Sequence, residues 1–314
     1  KRILIFSLVY FPRYVAGAEV ALKEITDRVG DEFDFDMITL RMDSRLPHVE
    51  KIGNVTIYRV GFTFAKELQK YLFPITGFWE ALTLVHQHKY DGIWTMMASY
   101  HLVSAVLLKL VYPSIPLIVT LQEGDPLEHI KRRARPIWPF FKLFFAKASM
   151  VQVISKYLGD FAKEMGATCP IEIVPNGVNI ELFSKETNIL PITKEPGDIF
   201  IITTSRLVKK NAVDDIIKSL THLAPNIKLL ILGIGPLENE LKILVKNLKL
   251  ESRVKFVGFV QNKDLPQYLH QSDIFIRPSL SEGFGISFVE AMAAGLPVIA
   301  TPVGGIVDFI IEGR

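Results

Sequence analysis

Cysteine is almost missing: Cys169 stands alone among 314 residues. That excludes an intrachain disulfide and any Cys-x-x-Cys metal pair, and it suits a reducing compartment. The seven histidines show no His-Glu-x-x-His or similar spacing, so no metal site is expected from them. No Gly-x-Ser-x-Gly elbow marks a serine nucleophile. The first βα turn lacks Gly-x-Gly-x-x-Gly, which counts against a plain dinucleotide oxidoreductase. Long apolar runs are missing too. The uncharged stretch 92–108 contains Thr95, Ser99, His101 and Ser104, and it reads as strand, loop and helix rather than as a membrane span. Lys1-Arg2 leads into Ile3–Phe6, a run too short for a secretory signal. A cytoplasmic protein is expected, with peripheral attachment to the inner face of a membrane as an open addition.

Apolar residues make up 49% of the chain and charged ones 22%, a composition that buries a large core and does not stay disordered. Net charge is +3, but its placement is uneven. From His129 to Gly159 there are seven basic side chains and no acid, whereas residues 176–314 hold 15 of each sign. A block of one sign points to an anionic partner.

Short Val/Ile/Leu runs alternate with helical-period segments throughout. Strands are expected at Ile3–Ser7, Phe35–Leu40, Val55–Val60, Gly92–Met96, Leu117–Leu121, Met150–Ile154 and Ile171–Val174, with helices such as Glu19–Val29, His101–Leu110 and Tyr157–Met165 between them. A Pro175-Asn176-Gly177 break follows, and the alternation restarts at Ile199–Thr204. It continues through Lys228–Leu232, Val254–Val257, Ile274–Ile276 and Val298–Ala300. Continuous apolar strands with helical crossovers imply parallel sheets buried on both faces. The expected fold is α/β, two doubly wound Rossmann-like domains over 1–175 and 176–314. Ligands then belong beyond the carboxyl ends of the strands and in a cleft between domains.

Residues 281–295 read SEGFGISFVEAMAAG. A helix start near Ile286 offers unpaired amides to an anion, most naturally a phosphate, and Gly283 and Gly285 allow close backbone approach. Glu282 precedes that anion site and Glu290 follows it. One anion site flanked by two hydroxyl-accepting carboxylates matches sugar, diphosphate and ribose. The alternative is a glycine loop with one solvent-facing Glu and one Glu on the helix dipole. Arg206, Lys209 and Lys210 follow the first strand of the second domain, where cations could neutralise a departing diphosphate; a solvated basic turn is the other reading. Gly233-Ile234-Gly235-Pro236 is a further tight turn, and Arg13–Gly17 gives a close backbone approach in the first domain. Asp34-Phe35-Asp36 imitates a DxD metal clamp, but it reads as a solvated strand edge.

The ordered set Pro175–Asn179, Ser205-Arg206-Leu207, Gly233–Pro236, Val257–Val260, Pro278–Gly285, Glu290–Thr301 and Gly304-Gly305 resembles the retaining glycosyltransferases of the GT-B fold, family 4, over nearly the whole chain. The resemblance implies that Glu282 meets donor sugar hydroxyls and Glu290 the ribose. It also implies that amides at Phe284–Ile286 hold the diphosphate, that Arg206 and Lys210 stabilise the leaving group without a metal, and that Phe259 lies where the base is seated. Gly17, Gly233 and Asn211 join the donor side. Three departures stand out. Asn211-Ala212 occupies the place of a Lys-Gly pair. Gln122, beside Glu123, replaces a histidine and points to an acceptor-side role for both. The family also continues past Arg314, so the second domain is expected to be incomplete.

The activity so implied is transfer of a hexose from a nucleoside diphosphate sugar to a glycan or lipid-linked acceptor, with no cofactor and no nucleic acid. Alternatives are a catalytically silent nucleotide-sugar-binding subunit or a nucleotide-sugar epimerase. Glu282→Gln is expected to lower turnover with little effect on folding. Arg132, Arg133, Arg135 and Trp138, with the phenylalanines of 140–145, suggest a segment lying on an anionic bilayer; the alternative is a helix whose phenylalanines pack on the sheet.

Overall fold

The computed structural model describes residues 1–13, 17–63, 66–135, 138–185 and 192–313. The chain divides into two compact units, Lys1–Pro175 and Asn176–Arg314. Among the described residues, no helix is long and apolar enough to cross a membrane.

Unit 1 contains β1 (Arg2–Phe6), α1 (Gly17–Arg28), β2 (Asp34–Leu40), β3 (Val49–Ile52), β4 (Val55–Val60), α2 (Lys66–Gln87) and β5 (Gly92–Met96). It continues with α3 (His101–Val111), β6 (Leu117–Leu121), α4 (Leu127–Ala134), α5 (Trp138–Lys147), β7 (Met150–Val153), α6 (Lys156–Glu164) and β8 (Ile171–Ile173). The eight strands form one sheet in the order β3-β4-β2-β1-β5-β6-β7-β8. Every pairing is parallel except that of β3 with β4.

Two features depart from the sequence reading. The sequence reading names no helix between Val60 and Gly92, whereas α2 fills most of that interval and runs through Pro74 and Gly77. Gly77 is needed because Ser104 of α3 lies there: a Cβ would stand 2.9 Å from its Oγ, which donates to the Phe73 carbonyl at 3.1 Å. The Asp34–Asp36 stretch is not a solvated edge, because β4 and β3 extend the sheet beyond β2. Asp36 is buried and accepts hydrogen bonds from Arg2 Nε and Tyr90 Oη, each at 2.6 Å.

Unit 2 contains α7 (Ile180–Ser184), β9 (Ile199–Thr204), α8 (Val213–Ser219), β10 (Ile227–Leu232), α9 (Glu238–Asn247) and β11 (Val254–Gly258). α10 (Leu265–Leu269), β12 (Ile274–Arg277), α11 (Ile286–Ala293) and β13 (Val298–Ala300) complete it. The sheet order is β11-β10-β9-β12-β13, all parallel. Strand periodicity of two sends alternate residues to opposite cores. Phe200 and Ile202 of β9 pack with Phe275, Phe288 and Ala291, while Ile201 packs with Val213, Ile216 and Leu241. Helices therefore cover both faces, and the apolar strands need no polar side.

Candidate active site

The chain leaves β9 toward β10 and β11, then returns to lay β12 against the other side of β9. Loops diverge at such a reversal and leave a crevice at the strands' carboxyl ends. In unit 2 those loops are 205–212, after β9, and 278–285, after β12. They are joined directly: Leu280 N–H donates to the Lys210 carbonyl at 2.7 Å.

The loop after β12 is organised by Arg277, which the sequence reading passed over. Its guanidinium is buried at the N-terminal end of α11. Nε donates to Ser279 Oγ at 3.1 Å, Nη1 to Ser287 Oγ at 2.7 Å, and Nη2 to Glu282. The cation also lies 4.6 Å from the centroid of the Phe288 ring. Burial pushes its pKa down while Glu282 and Glu290 push it up, and a guanidinium stays protonated regardless. A cation closing a buried strand, with two carboxylates within thirteen positions, was the available signal.

Glu282 is thus one half of a largely buried ion pair rather than a carboxylate held only by solvent. Its other oxygen accepts the Gly283 N–H at 3.1 Å, and its carbonyl accepts Gly305 N–H at 3.0 Å. A Cβ on Gly304 would sit 1.9 Å from that carbonyl, so the Gly304-Gly305 turn can press on Glu282 only as glycine. Glu290 lies one turn inside α11, buried, and accepts from Asn262 Nδ2 at 2.7 Å. Burial pushes its carboxyl up to about 6, against the lowering effects of Asn262 and Arg277.

Gly285 caps α11 in the left-handed region, φ +89°. A Cβ there would meet Phe288 at 2.5 Å and Arg277 Nη2 at 3.2 Å, so its missing side chain makes room for the protein's own residues. Gly283 and Phe284 are buried beside it, and Ile286 opens the helix. Among the described residues, the N–H groups of Phe284, Gly285 and Ile286 find no acceptor, leaving three donors at the positive end of the α11 dipole.

In the loop after β9, Arg206 is exposed and no carboxylate pairs with it among the described residues. Lys210 is half-buried. Asn211 is buried, and its Nδ2 closes the loop on the Arg206 carbonyl at 2.7 Å. Ala212 takes φ +48°, a glycine conformation borne by alanine. Gly233, φ +130°, is fixed by crowding, since a Cβ would stand 1.9 Å from the Ser205 carbonyl. Phe259, just past β11, is 66% exposed.

In unit 1, Gly17 opens α1, and a Cβ on it would meet nothing within 4 Å. The protein's own atoms therefore do not demand glycine there. Residues 14–16 of the Arg13–Gly17 turn lie outside the described residues. Gln122 is half-buried after β6. Glu123 is turned inward: one oxygen accepts the Ala98 N–H, and among the described residues the other has no hydrogen-bond partner. Burial pushes its carboxyl up to about 7. Arg132 and Arg135 are exposed and Trp138 half-buried, while the side chain of Arg133 lies outside the described ones. Phe141, Phe144 and Phe145 are fully buried, two of them beside Phe161. The packed-helix alternative therefore holds for these phenylalanines, and only the basic end of the segment remains at the surface.

The sequence pattern of Glycosyltransferase Family 4 matches residues 15–182, and that of Glycosyl transferases group 1 matches residues 184–314. The chain belongs to glycosyltransferase family 4. An uncharacterized glycosyltransferase of Methanocaldococcus jannaschii is 27% identical over 96% of this chain and 80% of its own length. The alpha-monoglucosyldiacylglycerol synthase of Streptococcus pneumoniae is 23% identical over 95% of this chain and 70% of its own. Among solved structures, Anabaena HepE in complex with UDP and glucose superposes with a TM-score of 0.76 at 21% identity, covering 99% of this chain and 83% of that one. The two-domain GT-B fold and a glycosyltransferase function are thus those of this family member.

Proposed function

We propose that this transferase moves a hexose from a nucleoside diphosphate sugar to an acceptor hydroxyl, with retention at the anomeric carbon and without a divalent metal. The observation that carries the reading is the junction of Leu280 with Lys210. It ties the loop that carries exposed Arg206 and Lys210 to the loop that carries Glu282 and leads into the amides of Phe284–Ile286 and Glu290. The amides and the two cations hold the diphosphate and offset the charge that grows on it as it leaves, which is the service a metal renders elsewhere. Glu282 accepts from sugar hydroxyls and Glu290 from the ribose, while Phe259 gives the base an apolar face.

Retention follows from attack on the face the diphosphate leaves. The bond from the anomeric carbon to the diphosphate oxygen breaks, the acceptor oxygen bonds to that carbon from the same side, and its proton passes to the departing phosphate oxygen. The nucleotide and glucose in the Anabaena HepE complex support a uridine-linked hexose, and the product class of the Streptococcus synthase supports a lipid-borne acceptor. A silent binding subunit is the second reading, favoured by Asn211, whose amide is spent on its own loop. Release of free sugar from UDP-glucose and other donors in excess chelator, with product configuration read by NMR, tests both. A transferase releases or transfers the α-configured sugar under those conditions. Full dependence on added magnesium or manganese would overturn the metal-free reading, and no turnover of any donor that binds would favour the silent subunit.

A further inference from the structure

In unit 1, α4 and the start of α5 frame a groove of about 860 Å³, lined in part by Glu128, His129, Lys131, Arg132, Arg135 and Trp138. Its charges are unequally committed. Lys131 Nζ binds Glu164 at 2.6 Å and Glu128 at 3.5 Å, which also occupies the one acid of the lining. Among the described residues, Arg132 meets only the ring of His129, at 3.4 Å. Arg135 makes no side-chain hydrogen bond or ion pair among the described residues. Two exposed guanidiniums three positions apart lie on one helix face with no carboxylate to share, and the chain carries no acid from His129 to Gly159. Trp138 walls the groove. Its ring stacks on buried Phe141 at 5.9 Å and carries Lys142 at 5.9 Å from its centroid.

We infer that this groove binds the phosphate of an anionic lipid headgroup. Guanidinium forks match phosphate oxygens two at a time, and an indole with one apolar face and one polar edge suits the boundary between headgroup and acyl chain. A lipid rather than a soluble phosphate is indicated by α2. Leu68, Tyr71, Ile75 and Trp79 recur at helical spacing and are each more than half exposed, an apolar aromatic stripe that a soluble ligand leaves unused. Helix α3 packs against both α2, which carries the stripe, and α5, which opens with Trp138. The inference deepens the proposed transfer, on which it rests for its purpose: it identifies the acceptor side as a phosphate-bearing lipid surface.

The test is co-sedimentation with phosphatidylcholine vesicles, with and without phosphatidic acid, at low and high salt. Wild-type protein is expected to bind the anionic vesicles and to be released by salt, which screens exposed charges. Arg132→Glu with Arg135→Glu is expected to weaken binding at least tenfold. The milder pair Arg132→Gln and Arg135→Gln is expected to fall between, and it covers the case in which charge reversal disturbs α4. Trp79→Ser is expected to weaken binding without changing its salt dependence. Equal binding to neutral vesicles, or retained binding by both double variants, overturns the proposal. So does saturable binding of glycerol 3-phosphate with no vesicle binding, which would place the ligand in solution. UDP binding measured on the same samples reports unit 2 alone, so failure of this groove is told apart from failure of the proposed donor site.

Discussion

Arg277 donates through Nη2 to Glu282 while its guanidinium lies against the Phe288 ring, so one of the two carboxylates that flank the start of α11 is held by a buried cation. The carboxylate proposed to grip the sugar is therefore also a structural partner. Its replacement has two consequences instead of one.

Glu282→Gln keeps the shape and an acceptor oxygen but removes the charge facing Arg277. Losing a charge-assisted hydrogen bond costs about 1.5–3 kcal/mol, so the variant is expected to melt earlier, contrary to the sequence expectation of little effect on folding. Turnover is expected to fall at least about tenfold, equivalent to about 1.4 kcal/mol of transition-state stabilisation. An unchanged melt would count against the ion pair, and wild-type turnover against the catalytic role.

Ala212 offers a cleaner stability test. It holds φ +48° and ψ +41° where the resemblance places a glycine, and a Cβ is strained in that region. Ala212→Gly is expected to stabilise the protein by about 0.5–1 kcal/mol, the relief of strain exceeding the entropy that glycine loses on folding. Chemical denaturation measures this, and a destabilised variant would mean that the Ala212 methyl, which is buried, contributes more by packing than it costs in strain.

These positions show how much the sequence could tell. Alternating β-rich and helical-period runs made both sheets legible, because burial on two faces writes itself as continuous Val, Ile and Leu. The Glu282 and Glu290 spacing was legible because a helix start between them has its own signature. Arg277 was not, since its importance depends on what α11 lays over it, and a lone arginine after a strand carries no such information. Asn262 escaped for the same reason, being nearly thirty residues from the Glu290 it holds. Asp36 was misjudged because its environment is set by Arg2 and Tyr90, and by two strands that pair outside β2.

Glu290 gives the donor site a pH dependence with a definite sign. Burial raises its carboxyl from 4.5 to about 6, so its contribution to folding stability declines as pH rises through that interval. For the nucleotide the direction reverses, because the ionised form is the better acceptor for ribose hydroxyls. UDP affinity is expected to fall severalfold from pH 7.5 to 5.5 in the wild type. The nucleotide's own phosphate also titrates near 6, so the comparison is with Glu290→Gln, in which only that common effect remains. Identical profiles by calorimetry would remove Glu290 from the ribose.

Glu123 makes the corresponding prediction for unit 1. Its carboxyl is raised from 4.5 to about 7, chiefly by burial and despite the Ala98 N–H, which favours the charged form. A raised acid binds its proton more tightly folded than unfolded, so its stabilisation is complete below about 4.5 and is lost as pH climbs to about 7. At about 1.4 kcal/mol for each pH unit of the interval, the loss is on the order of 3 kcal/mol. Glu123→Gln retains an oxygen for the Ala98 N–H but cannot ionise. The wild type is therefore expected to lose several degrees of melting temperature between pH 5 and pH 8 relative to the variant. The two should converge at the acid end, where the wild-type carboxyl is protonated and chemically closest to the amide. Other titrating groups act alike in both proteins and cancel in the difference. Parallel melting curves across that range would show that Glu123 ionises as an ordinary solvated carboxylate and that its inward orientation does not hold in solution.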